Sequence, residues 1–307
     1  MLTFVGAATL DALAQVDHYP AADERVVASA ISYAGGGPAA TAAVVAARQG
    51  HDVAFVGAVG DDPEGHQIIA GLQAEGVQTD GVVVVGGSRS GASVVVVATE
   101  SSTRAICNRP LPVADLTARP LVMELLTAST WIHVDHIGWA PTMLAIGHFA
   151  DPPLTSYDGG HQVTGFTAEG LNLYAPTIEA LEIRYGAADP QKLLTAAQGE
   201  SGGTVVASHG AAGSWALDNT GELIHVPTFP IDVISTLGAG DVFHGALVAA
   251  LADNHSLPDA VLRANATAAL SCRGLDGRSA VPTLGELDTF LTDHRTDLSS
   301  PSNPGQE

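Results

Sequence analysis

Positive charge is scarce in this chain. Of 307 residues, 12 are Lys or Arg and 33 are Asp or Glu, a formal net charge of −21. Phosphate backbones and anionic lipid are bound through basic surface, so sequence-independent nucleic-acid and membrane partners are excluded. Lysine occurs once, at Lys192, and no G-x-x-x-x-G-K-[ST] surrounds it, which removes the P-loop enzymes. Cysteine occurs twice, at Cys107 and Cys272, in no C-x-x-C. The expectation is two reduced core thiols, not a disulfide frame. Aromatic residues make up 5%, which leaves little for stacking on a planar base. No apolar run reaches the length of about 18 residues that argues for a membrane span. The stretch from Met1 to Gly6 lacks a basic region and reads as a strand, not a secretion signal. A cytoplasmic enzyme is the expectation. No G-x-G-x-x-G follows that strand, so a Rossmann dehydrogenase is disfavoured. The Asp and His residues at 135–136 and 158–161 match neither H-E-x-x-H nor a Cys/His zinc pattern.

What is present is a hydrophobic share of 46%, enough to core one large α/β domain with an appendage, or two domains. The chain is organised around residues 232–246. A β-prone run (223–226, then 231–234) leads into Gly238-Ala239-Gly240, and a small-residue helix pattern starts at Asp241. A strand, a glycine turn and a helix start make an anion site. Free N–H groups of the first turn point outward, and the helix dipole adds positive charge. A carboxylate there repels an anion. Asp241 therefore either caps the helix or takes a proton from a hydroxyl that attacks a phosphoryl group.

Thr236-Leu-Gly-Ala-Gly-Asp241 resembles D-T-x-G-A-G-D, the C-terminal signature of the ribokinase/PfkB carbohydrate kinases, with Ser235 in place of its first Asp. The resemblance extends over nearly the whole chain, in the family's order. It implies a ribokinase-like α/β fold: a doubly wound, mostly parallel sheet with helices on both faces, plus a small β-sheet lid. The kinase domain would span 1–296, with lid strands from about 12–33 and 88–110. The reaction implied is transfer of the γ-phosphoryl of MgATP to a hydroxyl of a small carbohydrate. Gly238, Ala239 and Gly240 would form the anion hole and Asp241 the base. Relatives with Asp at position 235 often bind K⁺, so Ser235 implies a weak monovalent-cation effect.

Further residues take roles from the same resemblance. Asp11, after a strand at 2–5, would bind sugar hydroxyls. Gly36 and Gly37, in Gly35-Gly-Gly-Pro-Ala-Ala-Thr41, would line the sugar site, with Thr41 where the family has Asn. A helix is expected from Pro38 to Arg48. Gly57-Ala-Val-Gly60-Asp61 to Gly65 is similar to the family's first signature, with structural glycines and Asp61 as a turn or cap. Gly76-Val-Gln-Thr-Asp80 would start the excursion into the lid. Residues 93–99 and 103–108 read as a hairpin. With strands near 14–18 and 26–32 they would form the lid, joined to a partner's lid in a homodimer. Arg104 and Asn108 would share one strand face and reach the substrate.

From residue 131 the pattern alternates strand and helix, at 131–134, 155–157, 172–174 and 204–208, which marks a parallel sheet. Glu179, in Pro176-Thr-Ile-Glu-Ala, resembles the Mg²⁺-associated Glu. Ser208, Gly210 and Gly213, together with Thr236, Asn265 and Gly274, would hold the nucleotide. Val134-Asp-His136 and Asp158-Gly-Gly160 are similar to ketose and sulfosugar kinases, which suggests a fructose-type substrate. The alternatives are a nucleoside or hydroxymethylpyrimidine kinase on the same fold, or an inactive sugar-binding regulator. The Ser/Pro-rich tail, 297–307, reads as disordered.

Overall fold

Pro38 and the alanines after it dictate the first helix. Proline at the first helical position has its φ preset and lacks an N–H that would be orphaned anyway. Gly37 caps it at φ 91°, where a Cβ would stand 2.4 Å from the carbonyl oxygen of Ala7. Helix α1 therefore runs from Pro38 to Arg48, as expected.

In the computed structural model, residues 1–294 are described apart from Ser102, Gln162 and Asn219. The tail at 297–307 lies outside them. The chain enters through β1 (Leu2–Val5), β2 (Thr9–Val16) and β3 (Ala30–Gly36), then α1 and β4 (Val53–Gly60). Next come α2 (Pro63–Ala74), β5 (Gln78–Val85), β6 (Ala92–Ala98) and β7 (Thr103–Arg109). The second half alternates: α3 (Pro120–Thr127), β8 (Trp131–Val134), α4 (Trp139–Ile146), β9 (Leu154–Gly159) and β10 (Leu173–Pro176). Then follow α5 (Ile178–Tyr185), α6 (Pro190–Ser201), β11 (Thr204–Ser208), β12 (Ser214–Leu217) and β13 (Leu223–Val226). Three helices close the chain: α7 (Ala239–Ala252), α8 (Leu257–Ser271) and α9 (Leu284–Asp293).

The main sheet has nine strands in the order β13-β12-β11-β10-β9-β8-β1-β4-β5. All its pairs are parallel except β11/β12 and β12/β13. Strand order reverses between β1 and β8. In open α/β sheets such a reversal leaves a crevice at the carboxyl ends, where ligands bind. Alternate residues pack on opposite faces. Phe4 and Phe55 meet α1, α7 and α8, while Val5, Val56, Ile132 and Tyr157 meet α3, α5 and α6. Each such buried side chain stabilises by about 1.5–3 kcal/mol. Small residues bring α1 and α7 together, since a Cβ on Gly245 would stand 2.4 Å from the carbonyl oxygen of Ala42.

A second, four-stranded sheet runs β3-β2-β6-β7. Register puts Asp11, Ala34, Ser93 and Asn108 in one row, on its inner face. The row Tyr33, Ala12, Val94 and Cys107 lies on the outer face.

Several expectations need correction. The lid strands fall at 9–16 and 30–36 rather than 14–18 and 26–32, so Asp11 sits within a lid strand. Residues 76–80 open β5 of the main sheet, not the lid. No strand forms at 231–234. There the N–H groups of Ile234 and Ser235 donate to the Cys272 carbonyl, at 2.8 and 3.2 Å. Helix α7 starts at Ala239, ahead of Asp241. Cys107 is exposed on β7, and only Cys272 is a buried thiol.

Asp62, not Asp61, caps α2. Its carboxylate accepts from Gly65 N at 2.9 Å, Ser90 N at 2.9 Å and Ser90 Oγ at 2.5 Å. Burial works to raise its pKa, but the Ser90, Gly65 and Arg89 donors hold it well below the ordinary carboxylate value. The group thus stabilises the fold at neutral pH, and that stability is lost as pH falls toward the folded pKa. Asp62→Ala should cost about 2 kcal/mol at pH 7. In urea titrations the difference from wild type should narrow below about pH 4. An unchanged denaturation midpoint would refute the anchoring role.

Candidate active site

Two cavities meet at residues 236–241. Leu237, Gly238 and Asp241 line one, of about 380 Å³, and Thr236, Ala239 and Gly240 line the other, of about 570 Å³. The turn is therefore a partition with a chamber on each side. Gly238 makes it possible by taking φ 75°, the left-handed region. A Cβ there would stand 2.8 Å from the Cα of Gly277. The Ala239 N–H closes the turn onto the Thr236 carbonyl at 3.3 Å. The Gly238, Gly240 and Asp241 amides have no acceptor among the described residues. Free amides at a helix start form an anion site at the wall between the chambers.

The smaller chamber lies under the lid at the β1/β8 switch point. Asp11, Gly36, Gly37, Thr41 and Asn108 line it, with Asp276, His136 and His161. Burial pushes the Asp11 carboxyl up, while Thr9, Ser93 and Arg278 pull it back. Its Oδ1 is buried without a partner, an acceptor waiting for a donor. No room exists for a side chain at Gly36, where a Cβ would stand 2.0 Å from Asp11 Oδ2. Thr41 is engaged, its hydroxyl accepting from Arg278 Nε at 3.2 Å. Arg104 does not line this chamber. It donates across to Thr236 Oγ1 at 2.9 Å, linking lid to partition.

The larger chamber is lined by Ser208, Gly210, Gly213, Thr236 and Asn265, with Phe229, Ile231 and Ala268. The Asn265 amide is already used: Nδ2 donates to the Val226 carbonyl at 3.0 Å, and Oδ1 accepts from Ser214 Oγ at 2.7 Å. It pins β12 and β13 to α8. Gly274 stands outside the lining, and its loop turns Asp276 and Gly277 toward the smaller chamber. Glu179 lies outside both chambers. It is exposed on the first turn of α5, 3.9 Å from His209 Nε2. Among the described residues no cluster of three or more His, Cys, Asp or Glu could hold a metal.

Burial pushes the Asp241 carboxyl up to about 7; Asp158 and Asp135 push the same way, while His244 and Arg278 oppose. A carboxylate poised there, at the floor of a chamber and beside free amides, can accept a proton from a hydroxyl near neutral pH.

The pfkB family carbohydrate kinase model matches residues 1–143 and 167–284. The chain belongs to the pfkB family of carbohydrate kinases. It is a phosphotransferase with an alcohol group as acceptor. Bacillus subtilis ribokinase is 27% identical, over 94% of this chain and 98% of its own. The ATP-dependent ribose-1-phosphate kinase of Halopiger xanaduensis is 26% identical, over 92% and 95%. The ribokinase structure from Thermotoga maritima superposes with a TM-score of 0.82 at 24% identity, covering 95% of this chain and 99% of that one. It has the same fold: a large, mostly parallel sheet with helices and a small separate sheet.

Sequence reasoning passed over Arg278 and His244 around the kinase's site, and noted Asp135 and Asp158 without giving either its role. Asp135 is buried and accepts four backbone N–H bonds around the switch point. Arg278 donates to the Gly36 carbonyl at 2.8 Å and faces Asp11 and Asp241. Burial pushes its guanidinium down to about 10, so it stays charged. Its scarcity as a cation in an acidic chain was the available signal. Asp158 and His244 meet beneath Asp241.

Gly238→Ala should be folded but strained, by about 1–2 kcal/mol for the left-handed alanine. Turnover should fall at least tenfold (an estimate from displacing aligned groups), as the amides and Asp241 shift against Gly277. Thermal melting and ADP-release assays check both. Wild-type turnover would show that the turn tolerates a side chain.

Proposed function

We propose that the kinase transfers the γ-phosphoryl group of ATP to a hydroxyl of a neutral sugar held in the smaller chamber. The observation that carries this is the partition itself, with Asp241 on the sugar side and free helix-start amides at the wall. Asp241 takes the hydroxyl proton as the sugar oxygen bonds the γ-phosphorus and the bond to the ADP oxygen breaks. The Gly238 and Gly240 amides, with that of Asp241, stabilise the charge on the transferring oxygens. Asp11, Gly36 and Asn108 orient the sugar, and Ser208, Gly213 and Thr236 the nucleotide. Mg²⁺, when bound, neutralises phosphate charge. With no ligand cluster among the described residues, it would be held by phosphates and water.

Charge supports a neutral acceptor. Asp11, Asp241 and Asp276 line the chamber. Arg109 also lines it but is tied to Glu64 at 3.2 Å and to the Ser90 carbonyl at 2.7 Å. An anionic sugar, such as a sulfosugar, would meet carboxylates with its own charge unpaired. Among the described residues no Phe, Tyr or Trp lines the chamber, which favours a ketose or pentose over a nucleoside.

The decisive experiment is a panel of neutral and anionic sugars with MgATP, read by ADP release, followed by Asp241→Asn with the best sugar. Turnover should fall about 10² or more. An Asn variant near wild-type turnover would remove the base. The acid limb of kcat/KM should lie near 7, with activity lost as pH falls and the raised carboxyl protonates.

The lid's outer face carries Ile31, Tyr33 and Val94, exposed by 71, 74 and 54%. Of the valines at 94–97, Val95 and Val97 are buried on the inner face instead. A second copy of the same face would cover this patch in a two-fold pair. Light scattering should give a dimer, and Tyr33→Glu with Val94→Glu a monomer; a wild-type monomer at micromolar concentration refutes the pairing.

Ser235 is buried, and its hydroxyl accepts from Leu237 N at 3.2 Å. A neutral, already engaged oxygen holds K⁺ poorly. Activity without K⁺ should therefore stay within a few-fold of that with it. A tenfold rise on adding K⁺, about 1.4 kcal/mol of barrier, would contradict this.

A further inference from the structure

Beneath Asp241 lies a polar cluster that the reaction, as described, does not use. His244 stands one helical turn beyond Asp241 on α7, so the two side chains leave the same face of the helix. His244 Nε2 meets Asp158 Oδ1 at 3.2 Å, and both side chains are only 5% exposed. The other ring nitrogen, Nδ1, is buried without a partner. His133 stacks on this imidazole, centroids 5.6 Å apart. Its Nδ1 sits 2.6 Å from Ser156 Oγ. Helix α7 and the ends of β8 and β9 thus enclose a charged pair and a second imidazole in the core.

Packing alone does not call for this arrangement. A buried ion pair loses hydration, and apolar residues of similar volume are often as stabilising or more so. Its position, directly behind the carboxylate that faces the acceptor chamber, gives it an electrostatic use. We propose that His244 is a positioning residue for Asp241: its imidazolium, held by Asp158, offsets the repulsion that Asp158 and Asp135 exert on the ionised base. This rests on the assignment of Asp241 as the base.

Asp158 thus acts on Asp241 in two opposed ways, repelling it directly and holding the cation that offsets that repulsion. Burial disfavours charge on His244, yet Asp158 and Asp241 raise it above the ordinary histidine value. His133 is pushed down to about 3 by burial and by His244, so it stays neutral and the cluster carries one positive charge. Asp135, at the end of β8, repels Asp241 as Asp158 does. Arg278, from the loop after α8, is its other attraction. Asp11 on β2, Asp276, His136 and His161 line the same chamber. Without His244, Asp241 would face Asp158 and Asp135 with Arg278 as the single cation acting on it.

The test is the acid limb of kcat/KM in three variants, each checked for folding by circular dichroism. His244→Asn should move the limb up by about one pH unit or more, so that activity lost at pH 6.5 returns at high pH. Asp158→Asn should leave the limb at or below its wild-type position. The double variant, which removes both charges, should bring the limb back close to wild type. A packing role predicts the opposite pattern: the double variant worse than either single one, and no limb displaced. That outcome overturns the proposal. Should His244→Asn not fold, nitrogen-15 spectra of the wild type decide, and a neutral His244 at pH 7 overturns it. Turnover by Asp241→Asn would instead overturn the base, so the two failures are distinguishable.

Discussion

One buried carboxylate closes the crevice on which this kinase is built. Asp135 Oδ2 accepts from Ala7 N at 2.7 Å and Ala39 N at 3.2 Å, and Oδ1 from Ile137 N at 2.8 Å and Gly138 N at 3.1 Å. Those amides belong to the exit of β1, the start of α1 and the exit of β8. Burial pushes the group above its ordinary pKa, against the pull of its N–H donors. Two glycines make the approach possible: a Cβ on Gly6 would stand 2.0 Å from Oδ1, and one on Gly138 2.0 Å from the Val5 carbonyl. Without Asp135 several buried N–H groups lose their acceptor, at about 1–3 kcal/mol each. The lid leaves the core at this point and α1 begins there, so the smaller chamber takes its shape from this bond set.

Three arginines tie together segments around that chamber. Arg48 donates to Glu75 and to the carbonyls of Arg278 and Val281, which fixes the loop carrying Asp276 and Gly277. Arg278 ties that loop to the end of β3, and Arg104 ties the lid to the partition.

Local signals were legible where one rule acts alone. Helix α1, with proline at its start and alanine through its length, was readable to the residue, as were the short apolar strands β8, β11 and β13. The lid strands were misplaced because the ends that pair, Thr9-Leu10 with Gly35-Gly36, carry no alternating apolar pattern. Both glycines lie in β3, and at Gly36 Asp11 leaves no room for a Cβ. The partition glycines and Asp241 were visible as a motif, since the turn is contiguous. Arg278 and the Asp158–His244 pair were not, because only the sheet topology brings their segments together.

The partition is a single turn whose neighbouring residues face opposite chambers. Neither chamber can be reshaped there without disturbing the other. Freedom to reshape the smaller chamber therefore lies in the lid strands, and freedom to reshape the larger in the segment around Phe229 and in α8. These stretches are separate in sequence and contribute to different layers. The smaller chamber can thus be recast through the β2–β3 ribbon and the β6–β7 hairpin, provided Arg104 keeps its bond to the turn.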